Sequence, residues 1–234
     1  MDFKEQGVNI VITNDDGFGE PGLETLYNAV SKKGDVFIIA PREAQSGVGH
    51  QVTLNGNLHG EKIDSNKYIV DGSPVDCVRL ALKVFAPSTD WLISGINPGA
   101  NLGTDVYPSG TVAAAREAAI LGFKAIAVSQ FIARDQMIDW HITGHHVSKI
   151  LSVIMTKNIS FGQFWNINLP HPIESLSTLE YKYCPLDKHS QDYSFINHSD
   201  EYQYEGSIYD RPFSIGSDVD VCFGGKISVT LMEI

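Results

Sequence analysis

The sequence predicts an α/β protein in which helices flank a mostly parallel sheet. Three observations predict this fold class. Several short runs rich in Val and Ile carry no alternating charges, which is typical of strands covered on both faces. Stretches with apolar residues at helical spacing separate these runs, as in repeated strand-helix-strand units. Polar and glycine-rich segments follow several of the runs, at the edge where open α/β sheets place ligands.

The chain opens with one such strand-helix-strand unit. Val8–Ile12 is the first apolar run, and residues 21–31 then place apolar side chains at helical spacing. Gly34 marks the end of this helix, because two lysines followed by glycine are typical of a helix C-terminus. Residues 35–41 form the second apolar run, so we expect two parallel strands joined by a right-handed crossover.

The middle of the chain continues the core. Residues 51–70 alternate apolar and polar side chains around two turn sequences, which predicts one or two β-hairpins inserted into the core. Ser73 followed by Pro74 predicts a helix start, since serine caps helices and proline suits the first helical position. The same two patterns predict strands over residues 90–95, 124–129 and 164–170, and helices over residues 109–121 and 137–156.

The composition changes beyond Pro170. Residues 171–216 are rich in Tyr, Ser, Asp and His and contain short alternating pieces typical of β-strands. Asp218–Val221 continues this alternation, and residues 226–231 form a final strand. Seven aromatic side chains accompany these pieces: Tyr181, Tyr183, Tyr193, Phe195, Tyr202, Tyr204 and Tyr209.

We therefore divide the chain into two parts. Residues 1–170 form the core, with a β-hairpin insert at about residues 51–70. Residues 171–234 form C-terminal β-hairpin arms and a final strand, which are not an independent domain. Short β arms would leave sheet edges and aromatic faces in water, so we expect them to pack on another subunit or back on the core.

Composition excludes several classes of protein. The formal net charge of −11 disfavours binding to duplex nucleic acid, which requires clustered Lys and Arg. We expect no membrane association and a cytoplasmic location, because no apolar run is long enough to cross a bilayer and Met1–Glu5 does not resemble a secretory signal. The three cysteines show neither a disulfide pattern nor zinc-ligand spacing: Cys77, Cys184 and Cys222.

Asp15 and Asp16 are the strongest candidates for chemistry. Two adjacent carboxylates at the carboxyl end of a buried strand repel each other unless a positive group lies between them and a partner. A hard divalent cation such as Mg²⁺ or Mn²⁺ is the simplest such group. The alternative is a solvated turn in which one aspartate caps the next helix.

The same stretch also matches a dinucleotide-binding fingerprint. Gly17–Gly22 reads G-x-G-x-x-G directly after a strand and before a helix. In that motif backbone amides meet a pyrophosphate, whereas here Asp15 and Asp16 would set two negative charges beside it. A non-catalytic dinucleotide-binding module is therefore the weaker hypothesis.

Three further segments offer polar groups near strand ends. Ser46 follows the second strand and offers a hydroxyl oxygen to a shared cation, although an ordinary turn serine is the alternative. The glycine-rich loop after residue 95 carries Asn97 and Asn101, and its backbone can pass close to a ligand. Ser109-Gly110-Thr111 combines hydroxyl groups with a helix N-terminus, which suits a phosphate monoester, although a plain serine cap explains it equally well.

These blocks together resemble the SurE family of survival-protein-E nucleotidases, and the resemblance covers nearly the whole chain. The matching blocks are Thr13–Gly17 with Pro21-Gly22, Ala40-Pro41 with Ser46-Gly47, Asp71–Pro74 with Asp76–Val78, Ser94–Asn97 with Gly99 and Asn101, Ser109–Val112, Asn166–Asn168 and Ile227–Thr230. The resemblance implies a Rossmann-like three-layer core, arms exchanged in a homodimer or homotetramer, and hydrolysis of nucleoside monophosphates.

The resemblance also implies roles for individual residues. It makes Asp15, Asp16 and Asn97 catalytic and assigns one divalent cation per subunit, Mg²⁺ or Mn²⁺. Its implied ligands are Asp15, Asp16, Ser46 and Asn97, and its implied phosphate contacts are Asn101, Ser109, Gly110 and Thr111. The expected reaction is cation-assisted attack of water on a 5′-phosphate, and possible 3′-phosphate hydrolysis is left open, with direct attack by an aspartate as the rival mechanism.

Overall fold

A computed structural model describes residues 7–173, 175–190, 194–206 and 208–234. The N-terminal residues on which the expectation about a secretory signal depends lie outside this range, and so does Tyr193. Nine of the strands form one sheet, and they run as β1 Val8–Thr13, β2 Gly34–Pro41, β3 Gly60–Lys62, β4 Lys67–Val70, β5 Trp91–Pro98, β6 Lys124–Gln130, β7 Gln163–Leu169, β8 Tyr181–Tyr183 and β11 Ile227–Glu233. The separate pair is β9 Ser194–His198 and β10 Glu201–Glu205.

The main sheet has the order β3-β4-β2-β1-β5-β6-β7-β11-β8. The six central strands from β4 to β7 are parallel, which confirms the predicted α/β class. From β1 the chain first builds β2 and β4 on one side and then crosses to β5 on the other. The strand order therefore reverses between β1 and β5, and open sheets bind ligands at such a point.

Helices cover both faces of this sheet. They are α1 Pro21–Val30, α2 Pro74–Leu80, α3 Gly110–Ile120, α4 Trp140–Ile154 and α5 Asp218–Phe223, and α2 continues into a π-helical turn over Ala81–Phe85. Buried side chains of α1 and α4 share one hydrophobic cluster with one face of the sheet, and those of α2 and α3 share a second cluster with the other face. The predicted three-layer architecture is therefore confirmed.

The segment predicted to contain one or two hairpins contains one. A single hairpin forms, because β3 and β4 pair antiparallel, while no strand forms around Asn55-Gly56. β4 also pairs parallel to β2 with Ile38 opposite Lys67. The hairpin is thus the edge of the main sheet rather than an insertion beside it.

The C-terminal segment contains one element that the sequence prediction missed. Asp218–Val221 was expected to continue the β pattern, but it begins α5. The Ser217 hydroxyl accepts a hydrogen bond from the backbone N–H of Asp220 and caps this helix, and Val219 and Cys222 bury against Leu102. Alternation over four residues cannot be distinguished from one turn of helix by periodicity alone.

Among the described strands, only β9 and β10 lie outside the main sheet. β11 pairs antiparallel with β7, and β8 pairs with β11, so much of the C-terminal segment packs back on the core. The hairpin leaves Phe195, Tyr202 and Tyr204 exposed. Exchange of this arm between subunits stays a prediction.

Candidate active site

The predicted site residues gather at the carboxyl edge of the sheet, around the point where the strand order reverses. β1 and β5 are neighbours, with Thr13 opposite Ser94, so the turn after β1 lies beside the end of β5. Asn97 is the second last residue of β5, because this strand extends to Pro98, into the segment predicted as a loop from residue 96. The topology therefore brings the first carboxylates and the glycine-rich loop to one place.

Asp15 is held by the start of α3. Its side chain is buried, and its Oδ1 accepts a hydrogen bond from the hydroxyl of Thr111. A Cβ at Gly110 would lie 2.8 Å from the Cβ of Asp15, so only glycine allows the helix to approach this closely. Burial raises the pKa of Asp15, and hydrogen bonds from Thr111 and Gly110 oppose that rise without reversing it. The helix start thus contacts a carboxylate, and its predicted contact with phosphate stays a prediction.

Asp16 lies half-buried beside Asp15. Its Oδ2 is shielded from solvent and has no hydrogen-bond partner among the described residues. Burial first, and then the charges of Asp15 and Glu20, raise the pKa of Asp16 to about 7. A buried carboxylate oxygen without a partner is costly in an apolar setting, so this pair fits a bound cation that would satisfy it.

Asn14 shapes the turn that presents the two aspartates. Its Nδ2 donates to the carbonyl oxygen of Gly17 at 2.9 Å, and its Oδ1 accepts from the Gly17 N–H at 3.3 Å. The next amide, of Phe18, donates to Pro41 O at 2.8 Å, and Pro21 has no N–H to offer. Three of the six positions of Gly17–Gly22 therefore have an amide that is already bonded or have none. Sequence reasoning gave no role to Asn14, although an asparagine before a glycine turn is a known signal.

The loop that carries Ser46 is bonded to the rest of the site. Gln45 N–H donates to Asp15 O at 2.6 Å, and Gly49 N–H donates to Pro108 O at 2.9 Å, next to the start of α3. Ser46 itself is exposed at the tip of this loop. The structure therefore brings the Ser46 loop to Asp15, as the sequence predicted.

A buried ion-pair group that sequence reasoning missed fixes the far end of this loop. His50 Nε2 lies 2.8 Å from Glu117 Oε2, and Arg79 Nε lies 2.5 Å from Glu117 Oε1. The Glu117 side chain is 2% exposed. Burial alone would raise the pKa of Glu117, but the hydrogen bonds from His50 and Arg79 outweigh it and lower that pKa. The three residues are far apart in sequence, so no local pattern signals the group.

The second half of the site is the loop after β5. Asn97 donates from Nδ2 to Gly99 O at 2.6 Å, which holds the tight turn at the strand end. The Asn168 side chain bonds the backbone of Asn101 twice. Its Oδ1 accepts from the Asn101 N–H at 2.8 Å, and its Nδ2 donates to Asn101 O at 3.1 Å. Asn101 Nδ2 in turn donates to Ser129 Oγ at 2.8 Å. Side chains from β6 and β7 therefore fix the backbone on which Asn101 is carried.

Ser109 caps α3. Its Oγ accepts from the backbone N–H of Val112 at 3.1 Å, as the plain capping alternative required. A hydroxyl that accepts at a cap still carries a proton that it can donate. The cap and the predicted phosphate contact are therefore compatible.

The donor set favours a hard cation. Two carboxylates, an amide and a hydroxyl are the oxygen ligands that Mg²⁺ and Mn²⁺ take. Within the described ranges, no cluster of three or more His, Cys, Asp and Glu side chains has the arrangement of a metal site.

The three cysteines are buried and unpaired, as expected. Across the same ranges, no helix is both long and apolar enough to span a bilayer.

Comparison with known proteins assigns the family. The model of the survival protein SurE family matches residues 10–192. A protein of Synechocystis sp. is 40% identical over 97% of this chain and 100% of its own length. A protein of Geotalea uraniireducens named 5′-nucleotidase SurE is 34% identical over 97% of this chain and 93% of its own length.

A solved structure agrees with this assignment. The crystal structure of the SurE protein from Aquifex aeolicus superposes with a TM-score of 0.84 at 30% sequence identity, and it covers 96% of this chain and 93% of its own. The family model, the relatives and the solved structure thus indicate the same family. The chain belongs to the SurE family.

Proposed function

We propose that this protein is a metal-dependent phosphomonoesterase that hydrolyses nucleoside 5′-monophosphates to nucleoside and phosphate, with nucleoside 3′-monophosphates as a second candidate substrate. The observation that carries the proposal is the pair of Asp15 and Asp16, in which the buried Asp16 Oδ2 has no partner among the described residues. Relatives named 5′-nucleotidase SurE support the nucleotidase class.

Asp15, Asp16, Ser46 and Asn97 would hold one divalent cation, Mg²⁺ or Mn²⁺. The chemistry that such a cation supplies is polarisation of a phosphoryl oxygen and a lower pKa for water. The Ser46 loop and the end of β5 approach the aspartates from opposite sides, which supports this choice of ligands.

The chain's own groups then position the substrate. Thr111 and Gly110 hold Asp15 in one orientation, since the hydroxyl bonds Oδ1 and the helix backbone packs against its Cβ. Asn101 and the proton of Ser109 would bind the phosphate oxygens, next to the positive end of the α3 dipole. Groups fixed before the substrate arrives stabilise the transition-state charge without reorganising.

Direct attack by Asp15 or Asp16 through an aspartyl-phosphate is the rival mechanism. The hydrogen bond from Thr111 and the role of both carboxylates as cation ligands favour water as the nucleophile. Acid quenching during turnover of a nucleotide with a radiolabelled phosphate group separates the two mechanisms, because a trapped phosphoenzyme would establish aspartate attack.

The rival function is a dinucleotide-binding module that uses Gly17–Gly22. It predicts metal-independent binding of a dinucleotide and no phosphate release. The amides of Gly17 and Phe18 already bond within the protein, which weighs against it.

One experiment tests the proposed function. Phosphate release is measured from a panel of nucleoside 5′- and 3′-monophosphates with Mg²⁺, with Mn²⁺ and with a chelator. We expect release with a divalent cation and none with the chelator. Cation-independent release would contradict the metal requirement, and no release from any nucleotide would overturn the function.

We also propose that the protein is a homodimer or homotetramer in the cytoplasm. The exposed aromatic side chains of the β9–β10 hairpin support association, and so do its edges, which pair with no other described strand, since a second copy would cover both. Light scattering at low protein concentration tests the oligomeric state. A monomer mass with full activity would exclude a required exchange of arms.

A further inference from the structure

The loop that follows Asn101 is clamped from outside the core by the C-terminal segment. Arg211 lies almost completely buried over this loop, with a side chain that is 2% exposed. Its guanidinium donates to Leu102 O at 3.1 Å and pairs with Asp105 Oδ2 at 2.5 Å. A planar guanidinium that bonds a carbonyl and a carboxylate together fixes the direction of the backbone between them.

Asp218 holds the same loop from a second direction. Its Oδ2 accepts from Gly103 N–H at 2.8 Å, and its Oδ1 accepts from Asp187 N–H at 2.8 Å. A Cβ at Gly103 would lie 2.8 Å from the Arg211 guanidinium, and the φ of +53° at this residue also favours glycine. The loop backbone therefore packs directly against three residues, Asp187, Arg211 and Asp218, which we call the clamp.

The clamp stands at both ends of the segment that carries the β9–β10 hairpin. Asp187 lies before the hairpin, where its carboxylate accepts from His189 N–H at 2.8 Å and from Ser214 N–H at 2.7 Å. Arg211 and Asp218 lie after the hairpin, where the chain returns to the core. Both ends of the arm therefore meet at the loop that follows Asn101.

Asn101 is thus fixed from two sides. Asn168 and Asn166 on β7 bond its backbone from the core, and the clamp holds the residues directly after it. Leu102 is fully buried between these two sets of contacts. A shift of the loop at Gly103 would move Asn101, because only Leu102 separates them.

We propose that Arg211 and Asp218 are positioning residues that hold Asn101 where it binds the phosphate of the substrate, and that they thereby link the base of the arm to phosphate affinity. This inference rests on the proposed function, in which Asn101 is a phosphate contact. A positioning role affects substrate affinity more than the chemical step, since Asp15 and Asp16 lie on another element and Asn97 lies on β5, before the part of the loop that the clamp holds.

The test compares Arg211→Ala and Arg211→Lys with the wild type. Lys226→Ala is the matched control, because Lys226 is a cation in an ion pair with Glu180 that lies on the surface outside the clamp. KM and kcat are measured for a nucleoside 5′-monophosphate, together with the inhibition constant of inorganic phosphate. Light scattering and thermal melting check mass and folding.

We expect Arg211→Ala to raise KM and the phosphate inhibition constant together by about tenfold, with a smaller change in kcat. Arg211→Lys keeps the charge and should fall between wild type and Arg211→Ala, and the control should match the wild type. A folded Arg211→Ala protein with unchanged KM and inhibition constant would overturn the inference, and so would a loss confined to kcat.

Two outcomes are kept apart by design. A wild-type protein that releases no phosphate from any nucleotide overturns the proposed function rather than the clamp alone. If Arg211→Ala does not fold, the same measurements on Asp218→Asn, which keeps the side-chain shape, decide the question. Unchanged phosphate affinity in that variant and in Arg211→Lys would overturn the inference.

Discussion

The two halves of the site are held in place by different kinds of contact. Asp15 and Asp16 follow directly from β1, and α3 meets them through its first turn, so strand ends and a helix start fix this half. The loop with Asn97 and Asn101 depends on side chains of β6, β7 and the C-terminal segment. The carboxylate half is thus held by a strand end and a helix start of the core, and the loop half by side chains from β6, β7 and the C-terminal segment.

This difference suggests a division of labour. The carboxylate half presents both aspartates proposed to bind the cation, and changes there should affect turnover most. The loop half presents one further proposed cation ligand, Asn97, and the proposed phosphate contact Asn101, so changes to the supports of Asn101 should affect affinity first. Variants ranked by their expected effect test this division.

The largest effect is expected from Asp15→Asn. The amide keeps the shape and can still accept the Thr111 hydroxyl, but it loses the charge that the cation requires. Phosphate release should fall by more than about a hundredfold while the fold is retained, as measured by circular dichroism and a phosphate assay. Asp35→Asn, at an exposed carboxylate, is the control. Full activity of Asp15→Asn at ordinary metal concentration would remove this half from the proposed cation site.

Thr111→Val should come next. The change removes the hydroxyl that bonds Asp15 and, by prediction, a phosphate contact, so turnover and inhibition by inorganic phosphate should weaken together by about tenfold. Thr111→Ser keeps the hydroxyl and should retain most activity. If neither quantity changes in Thr111→Val, the start of α3 acts only as a helix cap.

Asn168→Ala probes the loop half. It removes the two hydrogen bonds that Asn168 makes to the Asn101 backbone and leaves the one from Asn166, and KM should rise about fivefold with little change in kcat. Steady-state kinetics measure both constants, and Asn28→Ala at an exposed asparagine is the control. A fall in kcat at constant KM would mean that the two halves do not divide the work as proposed.

The placement of Asp15 and Asp16 at the end of a buried strand could be predicted because its signals are local. The buried run of β1, the interruption at Asp15-Asp16 and the serine cap at Ser109 each occupy a few neighbouring residues, and parallel strand ends must share one edge. The fold class followed from the same patterns. The approach of the Ser46 loop to Asp15 followed only from topology and family resemblance, since a turn serine carries no signal of its own.

The loop half was less predictable because its supports are tertiary. Asn97 and Asn101 were identified, but nothing near them indicates that Asn168 or Arg211 would hold them. The helix α5 was missed for a related reason, because four alternating residues fit a strand and a short capped helix equally. The hydrogen bond from the Thr111 hydroxyl to Asp15 was also missed, and the phosphate contact of Thr111 stays a prediction.

The smallest effect on catalysis is expected from Glu117→Gln, which instead tests how the Ser46 loop is anchored. In the folded protein the pKa of Glu117 lies below its usual value. The Glu117 carboxylate therefore stabilises the fold at pH values above that usual pKa. This contribution is lost as the pH falls through the lowered pKa. The glutamine variant has no such charge and leaves Arg79 facing a neutral group.

We therefore expect Glu117→Gln to lower the free energy of unfolding at pH 7 by about 1–3 kcal/mol, and its difference from the wild type to shrink as the pH drops below about 4. Urea unfolding at a series of pH values measures this difference. Glu61→Gln, in the exposed pair with Arg42, should change little at any pH. A constant difference between Glu117→Gln and wild type from neutral to acid pH would mean that the buried charge of Glu117 does not stabilise the anchor, and that shape alone holds His50 and the Ser46 loop against α3.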